Sequence, residues 1–134
     1  MPAQLEHANI TVTDPQATAA WMAQIFGWRI RWQGDAIAGG HTIHIGTDSS
    51  YVALYTPEKT PATGTSSYDT TGALNHIGVT VDDLDAAETL VKAQGFTPVN
   101  HADYEPGRRF YFRDHDGVEY EPVSYTHLTL PTIE

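Results

Sequence analysis

Two segments of this 134-residue chain place a histidine at the same point. Residues 5–17 read LEHANITVTDPQA, and residues 74–86 read LNHIGVTVDDLDA. Leu5, His7, Val12 and Asp14 match Leu74, His76, Val81 and Asp83 at one constant offset. A second anchor lies near the end of each copy. There Asp48 matches Asp116 at an offset one residue shorter, which sets Ala53 opposite Glu121. The repeat thus nominates His7, Ala53, His76 and Glu121, and three of these carry metal donors. Two imidazoles and one carboxylate leave open positions on a divalent ion, as in a catalytic rather than a closed structural site. Such donors suit Zn, Fe, Mn, Ni or Co. A single strand histidine is more often structural; two at repeat-equivalent positions, with a carboxylate at a third, favour a metal centre or its degenerate remnant.

Further polar residues share the strands that carry these four. Glu119 has the parity of Glu121 and is a candidate base or second ligand, or an edge-strand charge near water. Tyr51 and Tyr55 flank Ala53 on one face, where they stack on a substrate or fill the space of the missing carboxylate. Asn9 lies on the face of His7 and is a candidate substrate contact. His44 alternates with Thr42 and is a candidate proton donor, its ordinary pKa lying near neutrality, or a plain lining residue. Arg108 and Arg109 follow YEPG, in a loop able to close over an anionic substrate or simply be solvated.

The elements that must position these residues are legible in outline. Residues 5–12 alternate apolar and polar, a strand pattern. Asp14-Pro15 is a helix start, with a side-chain cap and proline at the first helical position. QATAAWMAQIF continues as a helix with Ala19, Met22 and Phe26 on one stripe, closed by Gly27. WRIRWQ, HTIHIGT and YVALYT read as three strands. Trp28 and Trp32 fall on one face as core or dimer contacts. After a stretch rich in Pro, Gly, Ser and Thr the order restarts. LNHIGVTV is a strand, Asp82 or Asp83 caps the helix LDAAETLVKAQ, and TPVNHA, RRFYFRD and GVEYEPV follow as strands, with a tight turn at Asp116-Gly117.

Each half is therefore βαβββ, an α+β arrangement. The division is 1–57 for the first module, 58–72 for a linker and 73–123 for the second module. A helix covers one face of each sheet. The other face, bearing His7, Asn9 and Thr11, stays open, and two such curved faces can pair around a metal-binding cleft.

Composition limits the alternatives. Three Trp, seven Tyr and four Phe supply a core, and the absence of Cys removes disulfides and thiolate chemistry. A net charge of −10 with only seven Lys and Arg disfavours nucleic acid and anionic membranes as partners. No apolar run reaches the roughly 20 residues of a membrane helix, and no signal peptide is evident, so a cytoplasmic location is expected.

The paired LEHANITV and LNHIGVTV, the Asp-capped helices and the late FYFRDHDGVEYE resemble the vicinal oxygen chelate superfamily over residues 5–123. That group includes glyoxalase I, extradiol dioxygenases, fosfomycin-resistance enzymes and bleomycin-binding proteins. RDHDGVEYE resembles the family's Asp-Pro-Asp-Gly turn followed by a ligand Glu, with His115 in place of Pro. The resemblance implies paired βαβββ modules, a divalent metal and bidentate chelation of a small, oxygen-rich substrate. It makes Glu121 the carboxylate ligand, as the repeat does. Glyoxalase I-like sites use two glutamates, and Ala53 stands in place of one, so that chemistry in its usual form is not expected. A His, His, Glu set spread over both modules looks most like the fosfomycin-resistance enzymes, and Tyr111 falls where they place a substrate-contacting tyrosine. His101 and Glu105 stand where those enzymes have Lys and Ser.

The expectation is a metal-dependent, glyoxalase-like enzyme working by Lewis-acid catalysis through His7, His76 and Glu121, with a homodimer expected. The alternative is a non-catalytic small-molecule binding protein of the bleomycin-resistance type. Finally, VSYTHLTLPT at residues 123–132 resembles a translated sequencing-library adapter. The natural sequence is expected to end near Val123 or to be cut short there, with 124–134 an adapter-derived tail, so His127 is given no role.

Overall fold

The computed structural model describes residues 1–64, 67–104 and 107–125. The chain divides into two compact units between Thr63 and Gly64. Each unit holds one four-stranded mixed sheet and one helix.

In the first unit β1 (His7–Thr11), α1 (Pro15–Phe26), β2 (Arg29–Asp35), β3 (His41–Gly46) and β4 (Tyr51–Thr56) follow in order. The sheet order is β1-β4-β3-β2, with β1 parallel to β4 and the other pairs antiparallel. The Asp14 side chain accepts from the Ala17 N–H at 3.1 Å, and Gly27 closes the helix at φ 70°, a left-handed conformation that glycine adopts without a Cβ clash. Ala19, Met22 and Ile25 are buried on the helix, which packs on β3 and β4, where Ile43, Ile45, Val52 and Leu54 are buried; Ile10 and Val12 are buried as well. Ile25 is buried in the place expected for Phe26, and Phe26 is half-buried, because the buried face of α1 centres on Thr18, Met22 and Ile25 rather than on Ala19 and Phe26.

The second unit contains β5 (Ile77–Thr80), α2 (Leu84–Ala93), β6 (Val99–Tyr104), β7 (Gly107–Arg113) and β8 (Glu119–Ser124). Its order, β5-β8-β7-β6, again has its outer first strand parallel to its last. Asp83, not Asp82, caps α2, accepting from the Ala86 N–H at 3.0 Å. Leu84, Ala87 and Val91 cover a core of Val79, Phe110, Phe112 and Tyr120. The β7–β8 turn is tied by Asp114, whose side chain accepts from the Asp116 and Val118 N–H groups, and Gly117 takes φ 78°.

Both halves are thus βαβββ, as the repeat indicates. Three local expectations change. β5 begins after His76, so His76 precedes the strand rather than lying in it. A register shift between Ile30 and Trp32 breaks the alternation of β2, so Trp28 and Trp32 do not act together. Trp28 packs on Phe26, whereas Trp32 meets His44 and is 50% exposed. Lastly β8 is an interior strand and Glu119 is buried, which removes the edge-strand reading of that charge. Glu105 and residues 126–134, including His127, lie outside the described residues, so the proposed tail does too apart from Ser124 and Tyr125. Among the described residues no helix is long and apolar enough to cross a membrane.

Candidate functional site

Strand register fixes which side chains share the sheet face away from each helix. In the first unit His7 is opposite Tyr51, Asn9 opposite Ala53, and Thr11 opposite Tyr55. On the other side of β4, His44 is opposite Ala53, and Trp32 is opposite His44. Asn9, Ala53, His44 and Trp32 therefore form one row across four strands. The rings gather around Tyr51. His7 stacks on it at 4.8 Å, His44 stacks at 4.5 Å, and the Arg31 guanidinium lies 4.6 Å over the same ring. Burial, then the neighbouring His7 and Arg31 charges, hold the His44 imidazole below its usual pKa. Ala53 is buried among these larger groups, and its methyl offers no donor. Tyr55 is half-buried on the same face.

In the second unit the equivalent pairing sets Gly78 opposite Glu121, so Glu121 does occupy the Ala53 position. The β7–β8 register puts Arg109 opposite Val123, Phe112 opposite Tyr120 and Arg113 opposite Glu119. Continuing it, Tyr111 faces Glu121 as His44 faces Ala53. The Glu121 carboxylate is buried and fully engaged. Its Oε1 lies 2.9 Å from His76 Nε2 and its Oε2 accepts from Arg109 Nη1 at 2.9 Å. The Tyr111 ring meets His76 edge-on at 5.6 Å. Burial, with the Glu121 charge behind it, raises the Tyr111 phenol and keeps it protonated as a donor.

The two histidines share one more feature. His76 Nδ1 lies 2.6 Å from Asn75 Oδ1, and His7 Nδ1 lies 2.9 Å from Glu6 Oε1. Asn75 and Glu6 are themselves repeat-equivalent. A side-chain oxygen at Nδ1 orients the ring with Nε2 outward, the arrangement that metal-ligating histidines use. Two ligands about 2.1 Å from an ion and at right angles to each other lie about 3 Å apart. The His76 Nε2 to Glu121 Oε1 distance of 2.9 Å matches that spacing as well as it matches a hydrogen bond. The chemistry of this donor pair therefore fits a divalent ion. Among the described residues no group of three or more His, Asp or Glu is gathered as a metal cluster.

The remaining candidates separate. Glu119 accepts a hydrogen bond from the Tyr68 hydroxyl and lies 4.0 Å from Arg113. The hydrogen bond to Glu119 raises the Tyr68 phenol. Arg108 does not approach Glu121; it pairs with Asp85 of α2 at 3.0 Å. An open cavity of about 250 Å³ lined by Leu84, His101, Ala102, Asp103, Arg108 and Arg109 lies at that end of the sheet. Sequence reasoning missed Asn75, Glu6 and Tyr68, and it missed the partnership of Arg109 with Glu121. Repeat alignment offers a signal for the first two only. The others depend on cross-strand register and on a loop that folds back.

The comparisons agree with this architecture. The family described as Glyoxalase/Bleomycin resistance protein/Dioxygenase superfamily matches residues 4–121. A glyoxylase/bleomycin resistance protein/dioxygenase domain from Frankia sp. EAN1pec superposes with TM-score 0.79 at 18% identity, covering 93% of each chain. The fosfomycin resistance protein FosX from Mesorhizobium loti gives TM-score 0.68 at 22% identity, covering 97% of this chain and 95% of its own. FosX from Listeria monocytogenes, complexed with Mn(II) and sulfate, gives 0.68 at 21%, covering 94% and 95%. No curated protein matches the chain. At such identities the structural likenesses establish the fold, and the match over nearly the whole length establishes the family: this chain belongs to the glyoxalase/bleomycin resistance/dioxygenase superfamily.

Proposed function

We propose that the chain is a metal-dependent enzyme of this superfamily acting on a small, oxygen-rich molecule, with His76, Glu121 and His7 as metal ligands. The observation that carries this reading is the pairing of His76 Nε2 with a buried Glu121 oxygen at 2.9 Å, the ring held from behind by Asn75. His7 enters on its repeat equivalence to His76 and on its matching Nδ1 contact to Glu6. The Mn(II) complex of a FosX relative supports a divalent ion. When bound, the ion supplies Lewis-acid polarisation of a substrate oxygen.

The chain's own groups would do the rest. Tyr111, protonated beside Glu121, donates a hydrogen bond to a substrate oxygen. His44, held below its usual pKa, is neutral near pH 7 and able to take or return a proton. Glu119, buried and held by Tyr68, is the candidate base of the second module. Asn9, Tyr51 and Tyr55 would line the substrate.

A second reading has its own support. The Glu121 charge is already balanced by Arg109, and the first unit presents a ring row of His7, Tyr51, His44 and Trp32. Those features suit a protein that holds a planar molecule without metal. Elemental analysis of protein purified without a histidine tag separates the two. The enzyme reading expects close to one equivalent of divalent metal per chain. Protein that stays empty after Zn, Mn, Fe, Ni and Co have each been offered would leave the binding reading in its place.

A further inference from the structure

We infer that Arg109 is a built-in counter-charge that sets the metal affinity of the centre at His76 and Glu121; the inference rests on the metal reading above. The two oxygens of Glu121 serve different partners, Oε1 facing His76 Nε2 and Oε2 accepting from Arg109 Nη1, each at 2.9 Å. Arg109 is held in that place. Its guanidinium lies 4.7 Å over the Tyr104 ring, and its side chain is only 15% exposed. Its Nε is buried with no hydrogen-bond partner among the described residues. A buried donor left unpaired is unfavourable, so the contacts to Glu121 and Tyr104 offset a cost that a different rotamer would avoid.

Register gives a second, independent observation. Arg109 faces Val123, and the equivalent pair in the first unit is Thr42 and Tyr55. The first unit therefore has neither the carboxylate, replaced by Ala53, nor the arginine, replaced by Thr42. The two charges occur together in one module and are absent together in the other. This is the distribution expected if the cation serves the carboxylate rather than a separate ligand.

Two consequences follow from the chemistry of arginine. With Oε2 engaged, Glu121 presents only Oε1 on the His76 side and ligates through one oxygen. Guanidinium also keeps its charge at any physiological pH, so it opposes a divalent ion arriving on the other side of the same carboxylate. At about 5 Å in a partly buried setting that repulsion is large enough to change affinity by at least tenfold. Arg109 is in this sense a positioning residue: it keeps the metal-free carboxylate neutralised and makes the ion exchangeable.

The test uses the full chain, stripped of metal and titrated with Mn(II) by calorimetry, together with thermal melts with and without Mn(II). R109Q retains a donor for Oε2 and removes the charge. It is expected to bind Mn(II) at least about tenfold more tightly than the wild type. Its metal-free form should melt lower, and Mn(II) should raise its melting temperature by more than it raises that of the wild type. R109K keeps the charge and should stay within about threefold of the wild type. R109M, with an unbranched neutral stem, repeats the measurement should R109Q fold poorly. Wild-type binding with R109Q and R109M no tighter overturns the counter-charge and leaves the metal reading intact. Absence of Mn(II) binding by the wild type and all three variants overturns both.

Discussion

His76→Ala is expected to lower divalent-metal affinity at least a hundredfold while leaving the fold in place. The substitution removes one donor outright, and with it the ring whose Nε2 sits 2.9 Å from Glu121. Loss even of a residue that merely supports a ligand typically weakens metal binding ten- to a hundredfold, so loss of the ligand should reach at least the upper end. The fold should tolerate the change for two structural reasons. His76 lies before β5 rather than in it, and its side chain is 31% exposed, so little packing is removed. Glu121 also keeps Arg109 on its other oxygen, so its buried charge stays paired. Calorimetric titration and bound-metal analysis read the affinity, and circular dichroism reads the fold. A folded variant that still holds a full equivalent of metal would remove His76 from the centre. Under the metal-free reading the substitution changes no metal content, because there is none to change.

Phe112→Ala should cost about 3–5 kcal/mol of stability, the usual range for emptying a large aromatic site. The ring is fully buried. It stacks on Tyr120 at 5.4 Å and on Phe96 at 5.8 Å, joining β7, β8 and the segment after α2. A domain of this size has only about 5–15 kcal/mol in total, so the variant stands near the edge of folding. Urea unfolding reads the change as a lower midpoint at similar slope. A loss below about 1 kcal/mol would mean that the aromatic layer repacks, and that the side chains around it are less tightly matched than their burial indicates. Phe112 is opposite Tyr120, which adjoins Glu121 in β8. Metal affinity should therefore weaken with it, by loosening the strand rather than by loss of a donor.

The repeat, the capped helices and the alignment of Ala53 with Glu121 were legible because they rest on local signals. Asp14 and Asp83 cap helices by side-chain geometry within one turn, Gly27 ends one by its left-handed φ, and Asp114 with Gly117 specifies a turn. Strand parity then carried Glu121 to the face of Tyr111. Features that depend on contacts distant in sequence were not legible. Pairing of Arg109 with Glu121 depends on the β7–β8 register, and the Tyr68 contact to Glu119 depends on how residues before β5 run back over the sheet. The bulge in β2 also defeated simple alternation, which is why Trp32 left the company of Trp28. Leu5 and Leu74 matched as letters, yet both are exposed and neither belongs to a strand. Their agreement reflects the repeat and not a packing demand.

Each sheet is closed by a parallel pair between its first and last strands, β1 with β4 and β5 with β8. Parallel neighbours cannot be joined by a tight hairpin, so the opening strand of each module has no partner until the final one has been made. On the ribosome the histidine-bearing strand β1 would emerge and remain unpaired until Thr56 had cleared the exit tunnel. Closing so long a loop slows folding more than it reduces stability. The first module should then acquire its structure in one step, rather than strand by strand, while the second is still being synthesised. Arrested nascent chains of increasing length, probed by limited proteolysis, should show an abrupt onset of protection once β4 is free. Gradual protection from β1 onward would show that the parallel closure does not govern the order of events.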